Sequence, residues 1–149
     1  MADKKKKKPE IDARFKKFGT VSFTATTQVN DFIDKLEDGK VAGTFCKTCG
    51  TKFFPPRSQC YKCLDKAQIE WFDVEGTGKL ETFSELSYAP IGFGDDLPYA
   101  IAVLDYGDFR VFGRIGPKVP MDQVAIGQEM TTQANRLPNG QLNIVFEPA

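Results

Sequence analysis

All four cysteines of the chain lie in one stretch, FCKTCGTKFFPPRSQCYKC, from Phe45 to Cys63. They form two Cys-x-x-Cys pairs, Cys46 with Cys49 and Cys60 with Cys63, separated by ten residues. Two residues between sulfurs let the backbone turn so that both face one ion. Two such knuckles supply the tetrahedral thiolate shell that Zn²⁺ accepts. Zinc is the expected metal, with iron in the same four-sulfur site as the alternative. A closed shell leaves no position for water or substrate, which argues against Lewis-acid catalysis. Two pairs this close are better explained as four ligands than as two redox dithiols. Gly50, just after the first pair, suits the left-handed backbone of such a turn.

The rest of the inventory is informative by what it lacks. There is no histidine, which removes Ser–His and Cys–His nucleophilic pairs, a histidine general base and histidine metal ligands. Twenty basic and 20 acidic side chains balance, which argues against a surface built throughout for nucleic acid. Four thiolates around one Zn²⁺ would add a charge of −2, with Lys47, Lys52, Arg57, Lys62 and Lys66 near enough in sequence to offset it. No apolar run is long enough to span a bilayer. The N-terminus, MADKKKKKPE, has no apolar segment after its charges, so secretion is not indicated and a cytoplasmic location follows by default. In a reducing compartment, paired cysteines read as a metal site and not as a disulfide framework.

The elements that must position the cysteines follow from periodicity. Residues 1–24 read as a basic flexible tail, carrying five consecutive lysines from Lys4 to Lys8. Such a tail is either solvated or held by an anionic partner. In TTQVNDFIDKLEDGK, Val29, Phe32, Ile33 and Leu36 recur at helical spacing, with Gly39 at the expected end. That stripe has two outlets, the rest of this chain or a partner. Residues 25–66 thus form a helix and a zinc ribbon. Beyond them, IEWFDVEG, KLETFSEL, YAIAVLDY, FRVFGRI, EMTTQANR and LNIVFEP read as short strands across glycine-bearing turns. Strands without intervening helices predict a small antiparallel barrel over 67–149. The fold class is mainly β.

In this order the residues resemble a known family. The helix, CKTCGTKFFPPRSQCYKC, EWFDVEGTGKLETF, LPYAIAVLDYGDFRVFGRI, IGQEMTT and IVFEP are similar to small proteins that join a rubredoxin-like zinc ribbon to an OB-fold. Those proteins accompany thiolase-superfamily enzymes. The likeness spans roughly residues 25–149, and its more specific parts are Phe54-Pro55-Pro56-Arg57, Trp71 ahead of Gly76-Thr77-Gly78, and Pro98-Tyr99. It implies a non-catalytic accessory subunit, a structural zinc and a thiolase-type partner in a hetero-oligomer, with acyl-CoA as a ligand shared with that partner. One type of member consistent with it is the small subunit of a benzoylsuccinyl-CoA-type thiolase, acting on an aromatic acyl-CoA. The residues agree at one point: thiolase chemistry needs a nucleophilic cysteine and acid–base groups, and here every cysteine reads as a metal ligand.

Contact residues are the least determined feature. The connection SYAPIGFGDDLPYA, residues 87–100, holds Tyr88, Phe93 and Tyr99 among glycines and prolines. It either projects toward a partner or tucks Phe93 onto the barrel. Arg57, Arg110, Arg114, Lys118 and Arg136 are candidates for CoA phosphates, since arginine offers a planar fork of donors. Phe54 and Arg57 lie in the insert that a metal would hold rigid. In FRVFGRI, Arg110, Phe112 and Arg114 share one strand face. That face keeps a second reading open, a zinc ribbon and OB-fold that binds single-stranded nucleic acid.

Overall fold

The computed structural model describes residues 12–17 and 27–149. The lysine run Lys4 to Lys8 lies outside the described residues. The described part of the basic tail, Arg14–Lys17, forms a 3₁₀ turn against the helix that follows. Arg14 pairs with Asp12, Asp31 and Asp34, and Lys17 pairs with Glu37 at 2.8 Å.

Helix α1 spans Asp31–Glu37. Its stripe of Phe32, Ile33 and Leu36 is buried, and the helix lies against strands of both the ribbon and the barrel. The apolar face is therefore satisfied within the chain. Three strands then form the ribbon sheet: β1 (Ala42–Cys46), β2 (Lys52–Phe53) and β3 (Ile69–Asp73), in the order β2-β1-β3. The strand IEWFD, which pattern alone groups with the barrel, pairs along all of β1, from Ala42↔Asp73 to Cys46↔Ile69. Alternation gives a strand two faces but no partner, and the partner here comes from the antiparallel register set by the ribbon.

The remaining strands are β4 (Thr77–Leu86), β5 (Tyr99–Asp105), β6 (Arg110–Ile115), β7 (Glu129–Arg136) and β8 (Leu142–Pro148). They close into a barrel in the order β4-β5-β6-β8-β7. All neighbours are antiparallel except β6 and β8, which run parallel through Arg114↔Val145 and Ile115↔Phe146. An irregularity between Leu80 and Thr82 bends β4. The bend lets its first residues pair with β7 while the rest follow β5.

Inward positions alternate as expected: Ala100, Ala102 and Leu104 on β5, Val111 and Ile115 on β6, Leu142, Ile144 and Phe146 on β8. These share one core with Phe32, Ile33 and Leu36 of α1 and Val41. The ribbon's own core is small, namely Cys46, Phe53 and Cys60, with Cys63, Ala67 and Ile69 at its edge.

An aromatic bridge joins the two sheets. The Phe72 ring of β3 meets Phe109 edge-on at 5.0 Å, and Phe109 stacks on Tyr106 at 5.0 Å. Lys52 of β2 lies 5.3 Å and 5.4 Å from the Phe72 and Phe109 rings and pairs with Asp108 at 2.8 Å. One ammonium thus contacts two rings and a carboxylate across the joint.

Gly43 of β1 sits where the backbone has no room. A Cβ there would lie 2.6 Å from the Phe53 carbonyl oxygen and 2.7 Å from the Phe72 ring. Gly43→Ala is expected to cost about 1–3 kcal/mol by overpacking, read from the midpoint of denaturant unfolding.

Candidate metal centre and ligand groove

The two knuckles have matching backbones. The N–H of Gly50 donates to the Cys46 carbonyl at 2.6 Å, and the N–H of Leu64 donates to the Cys60 carbonyl at 2.9 Å. Each turn aims two sulfurs inward, and all four Sγ atoms lie within 4.8 Å of one another. A tetrahedron with metal–sulfur bonds of about 2.3 Å has edges of about 3.8 Å, and Cys49 Sγ lies 3.7 Å from Cys60 Sγ. Cys46 and Cys60 are buried, Cys63 is half-buried and Cys49 is exposed. The donor set fits zinc.

Charge within the set is divided unevenly. Burial works against ionising Cys46, but N–H groups of Cys49 and Thr48 donate to its sulfur and bring it down to about 6. A hydrogen bond from Thr51 lowers Cys49. Cys63 is held up at about 12, first by its hydrogen bond to Cys49 and then by burial. Four thiolates coexist here only with a cation to neutralise them. The nearby lysines are partly engaged elsewhere: Lys47 pairs with Glu70 at 2.9 Å and Lys52 with Asp108.

The insert between the knuckles is held by Thr44, whose side chain is buried. Its hydroxyl donates to the Arg57 carbonyl at 2.9 Å and accepts from the Arg57 N–H at 2.8 Å. Phe53 is buried, and Phe54 turns inward to meet Phe32 edge-on at 6.2 Å. The insert presents Arg57, whose guanidinium lies 5.7 Å from the Phe53 ring.

The other expected contact residues gather on the barrel. Arg114 lies 3.8 Å from the centre of the Tyr99 ring and 5.8 Å from that of Phe93. It also pairs with Asp96 at 3.0 Å. Phe93, Tyr99 and Arg114 thus form one stack, while Tyr88 stands 82% exposed in the same connection. Arg110 pairs with Glu81, so both arginines of the Arg110–Phe112–Arg114 face are already matched by carboxylates. Such a face offers phosphate little free charge.

Beside the stack lies a groove of about 540 Å³. Tyr99, Arg114 and Val145 meet Asn135 and Asn143 there, with Val119, Met121 and Leu137 among its walls. Asn135 donates to Asn143 at 2.9 Å, leaving the Asn135 carbonyl oxygen and the Asn143 NH₂ group open. Arg136, also on the groove, donates to the Gly140 carbonyl at 2.9 Å. No local motif marks Asp96, Asn135 or Asn143. The pairing Asn135↔Asn143 comes from the β7–β8 register, and Asp96 from the fold-back of residues 87–98.

Residues 34–69 match the model of the ChsH2 rubredoxin-like zinc ribbon domain, and residues 71–134 that of the ChsH2 C-terminal OB-fold domain. A DUF35 domain-containing scaffold protein of Methanocaldococcus jannaschii is 36% identical over 96 residues, covering 64% of this chain and 67% of that one. The chain belongs to the DUF35 scaffold-protein family. A second DUF35 domain-containing scaffold protein, from Methanothermobacter thermautotrophicus, is 31% identical over 91 residues, covering 60% of this chain and 68% of its own. Among solved structures, an Ltp2–ChsH2(DUF35) aldolase superposes with a TM-score of 0.68 at 19% identity, over 84% of this chain and 98% of that one. A DUF35-family protein from Sulfolobus solfataricus superposes with a TM-score of 0.55 at 18% identity, over 84% and 90%. At these identities the likeness is one of fold. No helix among the described residues is long and apolar enough to cross a membrane.

Purified chain is expected to carry zinc stoichiometrically. Cys60→Ser should lose the metal and the ribbon's protection from proteolysis. Metal analysis and limited digestion check both, and a metal-free wild-type protein equally resistant to protease would contradict a structural role.

Proposed function

We propose that this DUF35 chain is a non-catalytic accessory subunit of a thiolase-superfamily enzyme. In this reading it holds a structural zinc ion and helps retain acyl-CoA at its partner's active site. The observation that carries the reading is the gathering of all four cysteines into one metal-ligand set, in a chain with no histidine. Condensing and thiolytic chemistry needs a nucleophilic thiolate and acid–base groups, so a second chain must contribute them. Relatives named as scaffold proteins support this. So does the Ltp2–ChsH2(DUF35) aldolase, whose name couples a DUF35 chain with Ltp2.

The groove supports acyl-CoA as the shared ligand. Its apolar walls suit an acyl or pantetheine chain, and the open amide groups of Asn135 and Asn143 suit the amides of that arm. Arg57 and Lys118 are exposed and without an ion pair among the described residues, and they are the candidates for phosphate ahead of Arg136, which pairs with Glu37 at 3.7 Å. An aromatic acyl-CoA, of the kind a benzoylsuccinyl-CoA-type thiolase handles, is the narrower substrate proposed. A reducing cytoplasm is the compartment that keeps the thiols free for metal.

Co-expression with a thiolase-superfamily subunit from the same organism tests the reading. A stable hetero-oligomer is expected in sedimentation velocity, with thiolytic activity in the complex and none in this chain alone. Separate migration at micromolar concentration would sink it. Within the complex, Phe93→Ala should lower kcat/KM by about tenfold, equivalent to about 1.4 kcal/mol. The subunit's thermal midpoint should not move, because Phe93 stands outside the buried core. Unchanged kinetics would remove residues 87–98 from the ligand's path.

A further inference from the structure

The two zinc knuckles share their backbone turn but not the residue that follows it. After the first pair stands Gly50, at φ 75°; after the second stands Leu64, at φ 48°. Left-handed backbone is open to glycine and costly for a residue bearing Cβ. Leu64 is the one non-glycine residue with positive φ among the described residues. Packing does not repay that cost, because Leu64 is 68% exposed and belongs to neither core cluster. Within the same knuckle, Tyr61 is 61% exposed, its ring T-shaped to that of Phe53 at 6.1 Å. Lys62 and Lys66 flank Leu64, and neither has an ion-pair partner among the described residues. Lys62 lies 5.7 Å from the Tyr61 ring.

We infer that the Tyr61–Leu64 knuckle is a docking anchor that seats in an apolar pocket rimmed by carboxylates on the partner enzyme. The inference rests on the accessory-subunit reading and adds the surface by which the ribbon engages. The knuckle turn needs left-handed backbone but not a leucine on it; turned to solvent, that side chain gains nothing for the isolated fold, and burial against another chain returns its apolar area. The two unpaired ammonium groups set the sign of the rim. Nucleic acid is disfavoured as the occupant, because Asp65 sits between the lysines and Tyr61 is the one exposed ring of the knuckle, short of a stacking platform. A second copy is the less favoured occupant, because Asp96, an acidic group of the 87–98 connection, is already paired with Arg114.

The test uses the full zinc-loaded chain and the purified thiolase-superfamily subunit, with titration calorimetry for affinity. Leu64→Ala keeps the backbone conformation and removes the anchor; Kd should rise at least about tenfold. Its zinc content and thermal midpoint should equal those of wild type. Leu64→Gly should weaken binding equally, with a midpoint unchanged or raised by up to about 4 °C as the turn relaxes. Ile126→Ala, which trims an exposed side chain in the β6–β7 connection, should bind as wild type does. Wild-type affinity in Leu64→Ala and Tyr61→Ser would overturn the anchor and leave the accessory reading standing. Absence of binding by the wild type overturns both. A midpoint lowered by more than about 4 °C in Leu64→Ala would show a structural role instead. Self-association of the wild type abolished by Leu64→Ala would assign the knuckle to a second copy. Salt-steep oligonucleotide binding lost in Lys62→Ser with Lys66→Ser, but kept in Leu64→Ala, would assign it to nucleic acid.

Discussion

Four sulfur ligands drawn into one corner of a small fold carry more negative charge than the surrounding groups can balance. Hydrogen bonding from Thr48, Thr51 and backbone N–H groups favours the thiolate at Cys46 and Cys49 and, through Cys49, disfavours it at Cys63. A dication removes that conflict by replacing the shared protons. The ribbon needs it, because Cys46, Phe53 and Cys60 alone make a core too small to hold two short hairpins. Once the knuckles are set, Cys46 ends β1, and β1 is the strand on which β2 and β3 both pair.

From that strand the constraint passes outward in two directions. Toward the insert, the buried Thr44 hydroxyl satisfies both backbone groups of Arg57, so the segment between knuckles has a fixed exit. Toward the barrel, β3 carries Phe72 to Phe109, and Lys52 is held between the two rings and Asp108. Helix α1 adds the third attachment by sharing its apolar stripe with the barrel core. Ribbon and barrel are therefore coupled by aromatic, ionic and apolar contacts.

The four cysteines are gathered into one metal-ligand set, and several of the barrel's polar side chains are paired with one another. Arg114 with Asp96 and Arg110 with Glu81 are matched before any ligand arrives. What stays open is the amide pair of Asn135 and Asn143, a set of apolar walls and the exposed knuckle. Those features suit recognition and positioning.

The sequence by itself determined the metal site, because the ligands of a knuckle are three residues apart and the turn between them is local. It determined the helix stripe and most strands for the same reason: periods of 3.6 and 2 are properties of neighbours in the chain. Tertiary structure decided everything that depends on register or on which face wins burial. It sent β3 to the ribbon, turned Phe53 and Phe54 of the insert inward, and matched two arginines of an apparent basic face with carboxylates. It brought Asn135 to Asn143 and Asp96 to Arg114 across strands and loops with no common motif. It also left Leu64 in solvent on left-handed backbone, which composition and spacing cannot express, because strain and exposure exist only once the chain has closed around its sulfurs.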